Sequence, residues 1–395
     1  MLAYVFFAIV TRALGAGPAA PVAVLWAWWG FAGAALTFPV QHWIARTTAT
    51  SAGEAAVHRG AAQVATAVVG VSLLAGALAW AARDPLFGPD GASFPLLVVG
   101  VGLGSGLLGV LRGLLAQRRR FAALALGLVT ENGLRCVVAT ALAVSGSDTP
   151  LSYGLALLTG YAVVVLWPGA LMPRRTGSGA ANAPLRFLSG ASSGQLLAQA
   201  TLTGGPVLVA AIGGAPAEVT ALFAGLALFR APYTIALGLV SALTGRLTRL
   251  LETGRLSTLL QIRRAVVSAT LVAGALGAAV GAWLGPPGME LVFGDGVRLA
   301  PGDAALVALG SVFALANLVL TLGLLARDRA GAVLGSWLAA TPIGVGAHLL
   351  IGGDALRSTC WTFMVIEAVA WSSLVAMEAR SDRLVSREEH RGTKG

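Results

Sequence analysis

The chain has 395 residues, of which 56% are apolar and only 11% charged, with a formal net charge of +10. Ordinary soluble domains carry about 25% charged residues, so this composition excludes a water-soluble fold and places the chain in a bilayer. The basic charge is arginine except for Lys394, and it sits in short loops between apolar segments, a pattern of membrane topology rather than of a nucleic-acid partner.

The first apolar stretch, Met1 to Val10, resembles the core of a secretion signal. It lacks a basic leader and Arg12 follows it directly, so it reads as an uncleaved helix. Leu2 to Leu14 is about two-thirds of a membrane span, so helix 1 is expected to be clipped, either by a misassigned start codon or by a real shortening. Twelve apolar segments follow in order: 2–17, 22–45, 61–82, 95–115, 122–145, 151–171, 187–213, 217–244, 265–285, 304–326, 331–352 and 356–378. The expected fold is therefore an all-α integral membrane protein of about twelve transmembrane helices.

The loops after helices 2, 4, 6, 8 and 10, with the tail, hold nearly all the arginines. They include Arg46 and Arg59, Arg112 and Arg118 to Arg120, Arg174, Arg175 and Arg186, those between Arg246 and Arg264, Arg327 and Arg329, and those from Arg380 on. The opposite loops hold Arg83, Arg298 and Arg357. The positive-inside rule then puts both termini in the cytoplasm of a cell-membrane protein. Arg112 reads as the start of the loop after helix 4, and Arg118 to Arg120 as a topology anchor. The segment Arg246 to Arg264 alternates apolar residues and arginines at helical spacing, as an interfacial helix does. Residues 379–395 are polar and read as a disordered cytoplasmic tail.

An internal repeat divides the chain. Gly15-Ala-Gly-Pro-Ala-Ala-Pro resembles Gly213-Gly-Ala-Pro-Ala, and Gly113-Leu-Leu-Ala-Gln-Arg resembles Gly323-Leu-Leu-Ala-Arg-Asp. Six helices per repeat preserve membrane orientation, so the halves are expected as two pseudo-symmetric six-helix bundles, 1–171 and 187–378, joined by a linker at 172–186 and enclosing a central cavity. Gly102 and Gly106 have the spacing that lets membrane helices approach closely.

Charge inside the membrane is costly and marks a pathway or a paired site. Arg12 lies near the outer end of helix 1, where it reads either as snorkelling to headgroups or as a cationic wall. Arg230 lies mid-helix in Leu228-Phe-Arg-Ala-Pro-Tyr233, too deep to snorkel, and reads as a substrate-facing cation. Glu131 and Arg135 are four apart on one face of helix 5, beside Asn132, and can neutralise each other. With Glu367 in helix 12 they are the candidates for ion or proton coupling. His348 reads as a packing residue. Cys136 and Cys360 lie in apolar segments as free thiols. No metal-ligand spacing, phosphate loop or catalytic triad is present, so neither an enzyme nor a cofactor is expected.

Four stretches together resemble the multidrug/oligosaccharidyl-lipid/polysaccharide (MOP) export superfamily, and within it the bacterial polysaccharide-export flippases. The lipid II flippase is a more distant likeness. They are Thr11-Arg-Ala-Leu-Gly-Ala-Gly17, Phe38-Pro-Val-Gln-His-Trp-Ile-Ala-Arg46, Leu111-Arg-Gly-Leu-Leu-Ala-Gln-Arg-Arg-Arg-Phe121 and Phe229-Arg-Ala-Pro-Tyr233. The resemblance implies two lobes around a central cavity and the movement of an undecaprenyl-pyrophosphate-linked oligosaccharide across the cytoplasmic membrane. It implies Arg12, Arg46 and Arg230 as contacts to that headgroup. The partners it implies are the lipid-linked glycan, membrane lipids, glycosyltransferases and a polysaccharide polymerase. Arginine suits such a substrate because its guanidinium pairs with phosphate in a two-pronged fork. The rival readings are a cation-coupled multidrug exporter, which needs intramembrane carboxylates, and a non-transporting membrane component of glycan assembly.

Overall fold

A computed structural model describes residues 2–48, 53–173, 196–237, 256–327 and 329–392. Among these residues the chain is helical, with no strand. In lipid every backbone N–H and C=O must be satisfied within the segment, and a helix does this alone. The helices are α1 (Leu2–Leu14), α2 (Ala20–Ala32), α3 (Phe38–Thr48), α4 (Gly53–Ala81), α5 (Arg83–Phe87), α6 (Phe94–Gln117), α7 (Phe121–Val144) and α8 (Pro150–Thr159). After them come α9 (Gly205–Ala211), α10 (Pro216–Phe229), α11 (Ala231–Leu237), α12 (Leu256–Phe293), α13 (Pro301–Ala326), α14 (Ala330–Ile351) and α15 (Ala355–Gly392).

Eight helices among the described residues are long and apolar enough to cross a membrane, and three shorter apolar ones accompany them, Leu2–Leu14, Pro150–Leu166 and Pro216–Phe229. These eleven, with α9, fall in turn on the twelve apolar segments of the sequence. The protein is a multi-pass membrane protein.

Several boundaries differ from expectation. Arg112 is not in a loop, because α6 continues to Gln117; Gly113 is accommodated within it by close packing against Ile44. Residues 256–264, expected as part of an interfacial helix, are the first turns of α12, and the rest of that segment lies outside the described residues. The tail expected to be disordered from 379 is helical to Gly392, since no glycine or proline interrupts the sequence between Ala355 and Gly392. Most of the 172–186 linker, with Arg174, Arg175 and Arg186, also lies outside the described residues.

The chain separates into two compact units, 1–221 with 292–297, and 222–291 with 298–395. The first unit therefore extends past the boundary expected at 172–186. Within it α6 is the central helix, packed on α2, α3 and α4. A stripe of glycines makes this possible. A Cβ on Gly102 would meet Ser72, one on Gly106 would meet Val68, and one on Gly113 would meet Ile44. Leu36, Val40, Trp43, Ile44, Val57, Val64, Val68 and Leu114 form the apolar core behind that stripe. A π-helical turn at Gly33–Thr37 joins α2 to α3, and the hydroxyl of Thr37 donates to the Ser105 carbonyl at 2.9 Å. We expect Gly106→Leu to destabilise this unit by about 1–3 kcal/mol through overpacking. Gly70→Leu, on α4 with nothing within 4 Å of a Cβ, should leave the melting temperature in detergent unchanged.

In the second unit α13 and α14 both pack along α15, with Gly310 admitting Phe363 and Gly344 admitting Ile366. The helix α12 leaves Leu271, Leu276 and Trp283 exposed, as a lipid-facing surface does, and contains Pro286 and Pro287. The repeat is visible in the backbone: Gly15 and Gly213, matched in sequence, have φ of 82° and 85°. Both occupy the left-handed region that glycine enters without a Cβ penalty, and each turns the chain from the first helix of its half toward the second.

Candidate functional site

The first unit holds a buried charged cluster. Arg135 on α7 is fully buried, as is Glu131 one turn earlier, and their charged groups are 2.9 Å apart. The other oxygen of Glu131 is held by Arg112 of α6. A buried guanidinium is tolerated only if its charge is paired and its N–H groups are satisfied. Arg135 is charge-paired and largely satisfied: its Nε donates to the Leu157 carbonyl at 2.8 Å, one Nη donates to Asn132 Oδ1 at 3.4 Å, and the other Nη faces Glu131 as an ion pair without hydrogen-bond geometry. Its guanidinium also lies 5.0 Å from the ring centre of Trp29 and 5.5 Å from that of Tyr161, within cation–π range. The Tyr161 hydroxyl is in turn 3.0 Å from the Ser105 hydroxyl and donates to the Val101 carbonyl.

The chain around Arg135 is shaped to admit it. The helix α8 tightens into a 3-10 turn at Gly160–Leu166, and a Cβ on Gly160 would collide with the Arg135 guanidinium. We expect Gly160→Val to expel Arg135 from its site and lower the melting temperature by several degrees, whereas Gly169→Val, with open space around its Cα, should not.

Sequence reasoning paired Glu131 with Arg135 but missed Arg112, Trp29, Tyr161 and Ser105. Hydropathy marks the two aromatics only as apolar, and a partner on another helix leaves no local spacing. Arg118, read as a topology anchor, also has a structural task. Its guanidinium grips both oxygens of Glu54 at 3.0 and 2.8 Å and donates to the Gly169 and Met172 carbonyls.

Arg12 stands in the last turn of α1, exposed, and its Nε donates at 3.1 Å to the carbonyl of Val292. That carbonyl belongs to the last turn of α12, where carbonyls lack intrahelical donors and a cation complements the helix dipole. Arg12 is thus a capping group for α12. Arg46 lies within α3 near its end at Thr48; its side chain lies outside the described residues.

In the second unit Arg230 sits at the break between α10 and α11, only 8% exposed. The break has a local cause: Pro232 has no N–H to give the Leu228 carbonyl. The Arg230 Nε turns back to the Leu226 carbonyl at 2.9 Å. Glu367 on α15 is completely buried, accepts a hydrogen bond from the Asn317 amide of α13 at 2.8 Å, and lies within electrostatic range of Arg230. Sequence reasoning placed Arg230 and Glu367 as separate groups; the fold brings them near one another, with Asn317 as the unforeseen third member. His348 bonds to Thr362 at 3.1 Å, in keeping with a packing residue. At the end of this unit Arg327 pairs with Glu378 at 3.0 Å. Among the described residues no cluster of His, Cys, Asp or Glu could hold a metal ion.

No protein-family model matches the chain, and no curated protein matches it. Solved structures do. A multidrug resistance MATE family transporter of the MOP superfamily in its inward-facing conformation gives a TM-score of 0.73 at 15% identity, covering 98% of this chain and 95% of that one. The eukaryotic MATE transporter AtDTX14 gives 0.60 at 18% identity, over 98% and 94% of the two chains. A MOP superfamily transporter from Pyrococcus furiosus, described as having a binding pocket of reverse polarity, gives 0.52 at 15% identity over 98% and 92%. The fold is that of the MATE transporters of the MOP superfamily.

Proposed function

We propose that this chain is a transporter that moves a lipid-linked, undecaprenyl-pyrophosphate-type oligosaccharide across the cytoplasmic membrane for surface polysaccharide export, by alternating exposure of its binding site to the two sides. Both termini are then cytoplasmic, and the glycosyltransferases and polymerase of glycan assembly are its functional partners. One observation carries this reading. Glu131, the carboxylate through which the first unit would hold a cationic drug, has one oxygen against Arg135 and the other on Arg112. The charge left over within the helices is positive, and positive charge inside a membrane calls for an anionic ligand. Arg230 is the leading substrate contact, with Arg12 and Arg46 as further ones.

The second reading, a cation-coupled multidrug exporter, is favoured by the solved relatives and by Glu367. That carboxylate is fully buried, and its Oε1 accepts no hydrogen bond among the described residues, as a carboxyl that exchanges protons or cations would require.

Deleting the gene separates the two. Accumulation of lipid-linked glycan in the inner leaflet, with loss of surface polysaccharide and unchanged resistance to cationic dyes, is the expected result. Normal glycan with lost dye resistance would establish the drug exporter instead.

A further inference from the structure

Arg112 is the member of the buried cluster whose capacity is least used. A guanidinium carries five N–H donors, and among the described residues Arg112 engages Glu131 alone. Its side chain is 17% exposed, whereas that of Arg135 is fully enclosed. It borders a small hollow between α6, α7 and the 3-10 turn after α8, which Glu131 also lines beside Leu111, Leu124, Leu128 and Val163. Two guanidiniums on one carboxylate leave a single positive charge in excess. Such a charge within a membrane helix is costly until an anion meets it.

We infer that Arg112 is a phosphate contact that exchanges Glu131 for a phosphate of the lipid-linked substrate; this rests on the substrate class proposed above. In the empty state Glu131 stands in for the phosphate, since carboxylate and phosphate present similar paired oxygens to the guanidinium fork. When phosphate arrives Arg112 turns to it, and Glu131 keeps Arg135 as its partner. The exchange replaces a three-membered cluster of net charge by two matched pairs, so no bare charge is created at either step.

The test is a titration of the purified full-length protein in detergent with inorganic pyrophosphate, followed by calorimetry. Arg112→Ala keeps the buried Arg135–Glu131 pair intact and should weaken binding about tenfold, the loss of one charge-assisted contact. Arg112→Lys should retain part of it. Glu131→Gln removes the competing anion and should tighten binding several-fold; should that variant fail to fold, the Arg112 pair decides alone. Binding lost in Arg230→Ala but unchanged in Arg112→Ala and Glu131→Gln overturns this inference and leaves the proposed function standing. Absence of pyrophosphate binding by the unaltered protein removes the proposed function as well. Ordinary phospholipid offers the same phosphate chemistry. Competition by phosphatidylglycerol that vanishes in Arg112→Ala would assign the contact to the bilayer and overturn the substrate assignment.

Discussion

Arg135→Ala should cost the protein about 3–5 kcal/mol, the largest loss we expect from any single substitution. Arg135 is one of the largest fully buried side chains among the described residues. Its removal opens a void between Trp29, Tyr161 and the Leu157 carbonyl, leaves that carbonyl without its donor, and takes half the neutralising charge from Glu131. Arg135→Met, which fills the same space without charge, should recover part of the loss, because replacing a buried ion by a well-packed apolar group is far cheaper than emptying its site. Thermal unfolding of the detergent-solubilised variants measures both. Equal melting temperatures for Arg135→Ala and the unaltered protein would show that the cluster contributes no stability.

Arg230→Ala should abolish export while leaving the amount of folded protein normal. Arg230 bonds to the Leu226 carbonyl of its own helix and lies near Glu367, and the helix is already broken beside it by Pro232, so truncation leaves the break in place while it removes the charge. Arg230→Lys should restore export poorly, because an ammonium cannot present a paired fork to phosphate. The measurement is complementation of a deletion strain, scored by surface polysaccharide, with membrane levels of the protein as control. Full complementation by Arg230→Ala would remove this residue from the binding site. Glu367→Gln separates the rival reading: it should spare glycan export, and it should stop dye efflux if the protein is a drug exporter.

Much of the fold was legible because lipid imposes one rule on every segment. A run of apolar residues long enough to cross must be a helix, and the apolar segments fall where the helices do. The match between Gly15 and Gly213 was legible for a different reason: a turn that demands positive φ demands glycine, so the residue survives where its surroundings drift. The pairing of Glu131 with Arg135 followed from their spacing of four on one helix. Arg112 was not legible, because nothing in its own neighbourhood announces a carboxylate on the next helix, and an arginine near a helix end looks like an interfacial anchor. The same holds for Asn317 with Glu367. The depth of Arg12 was legible, but its bond to Val292 was not, because a backbone carbonyl carries no sequence signal.

The two prolines of α12 acquire a meaning from where the chain changes unit. Pro286 and Pro287 donate no main-chain hydrogen bonds, so the carbonyls of Ala282 and Trp283 lose their customary partners one turn ahead. A few residues later, between Leu291 and Val292, the polypeptide passes from the second unit to the first. The last turns of this long helix therefore rest on two fewer main-chain hydrogen bonds than an uninterrupted sequence would give, and they bend more easily for it.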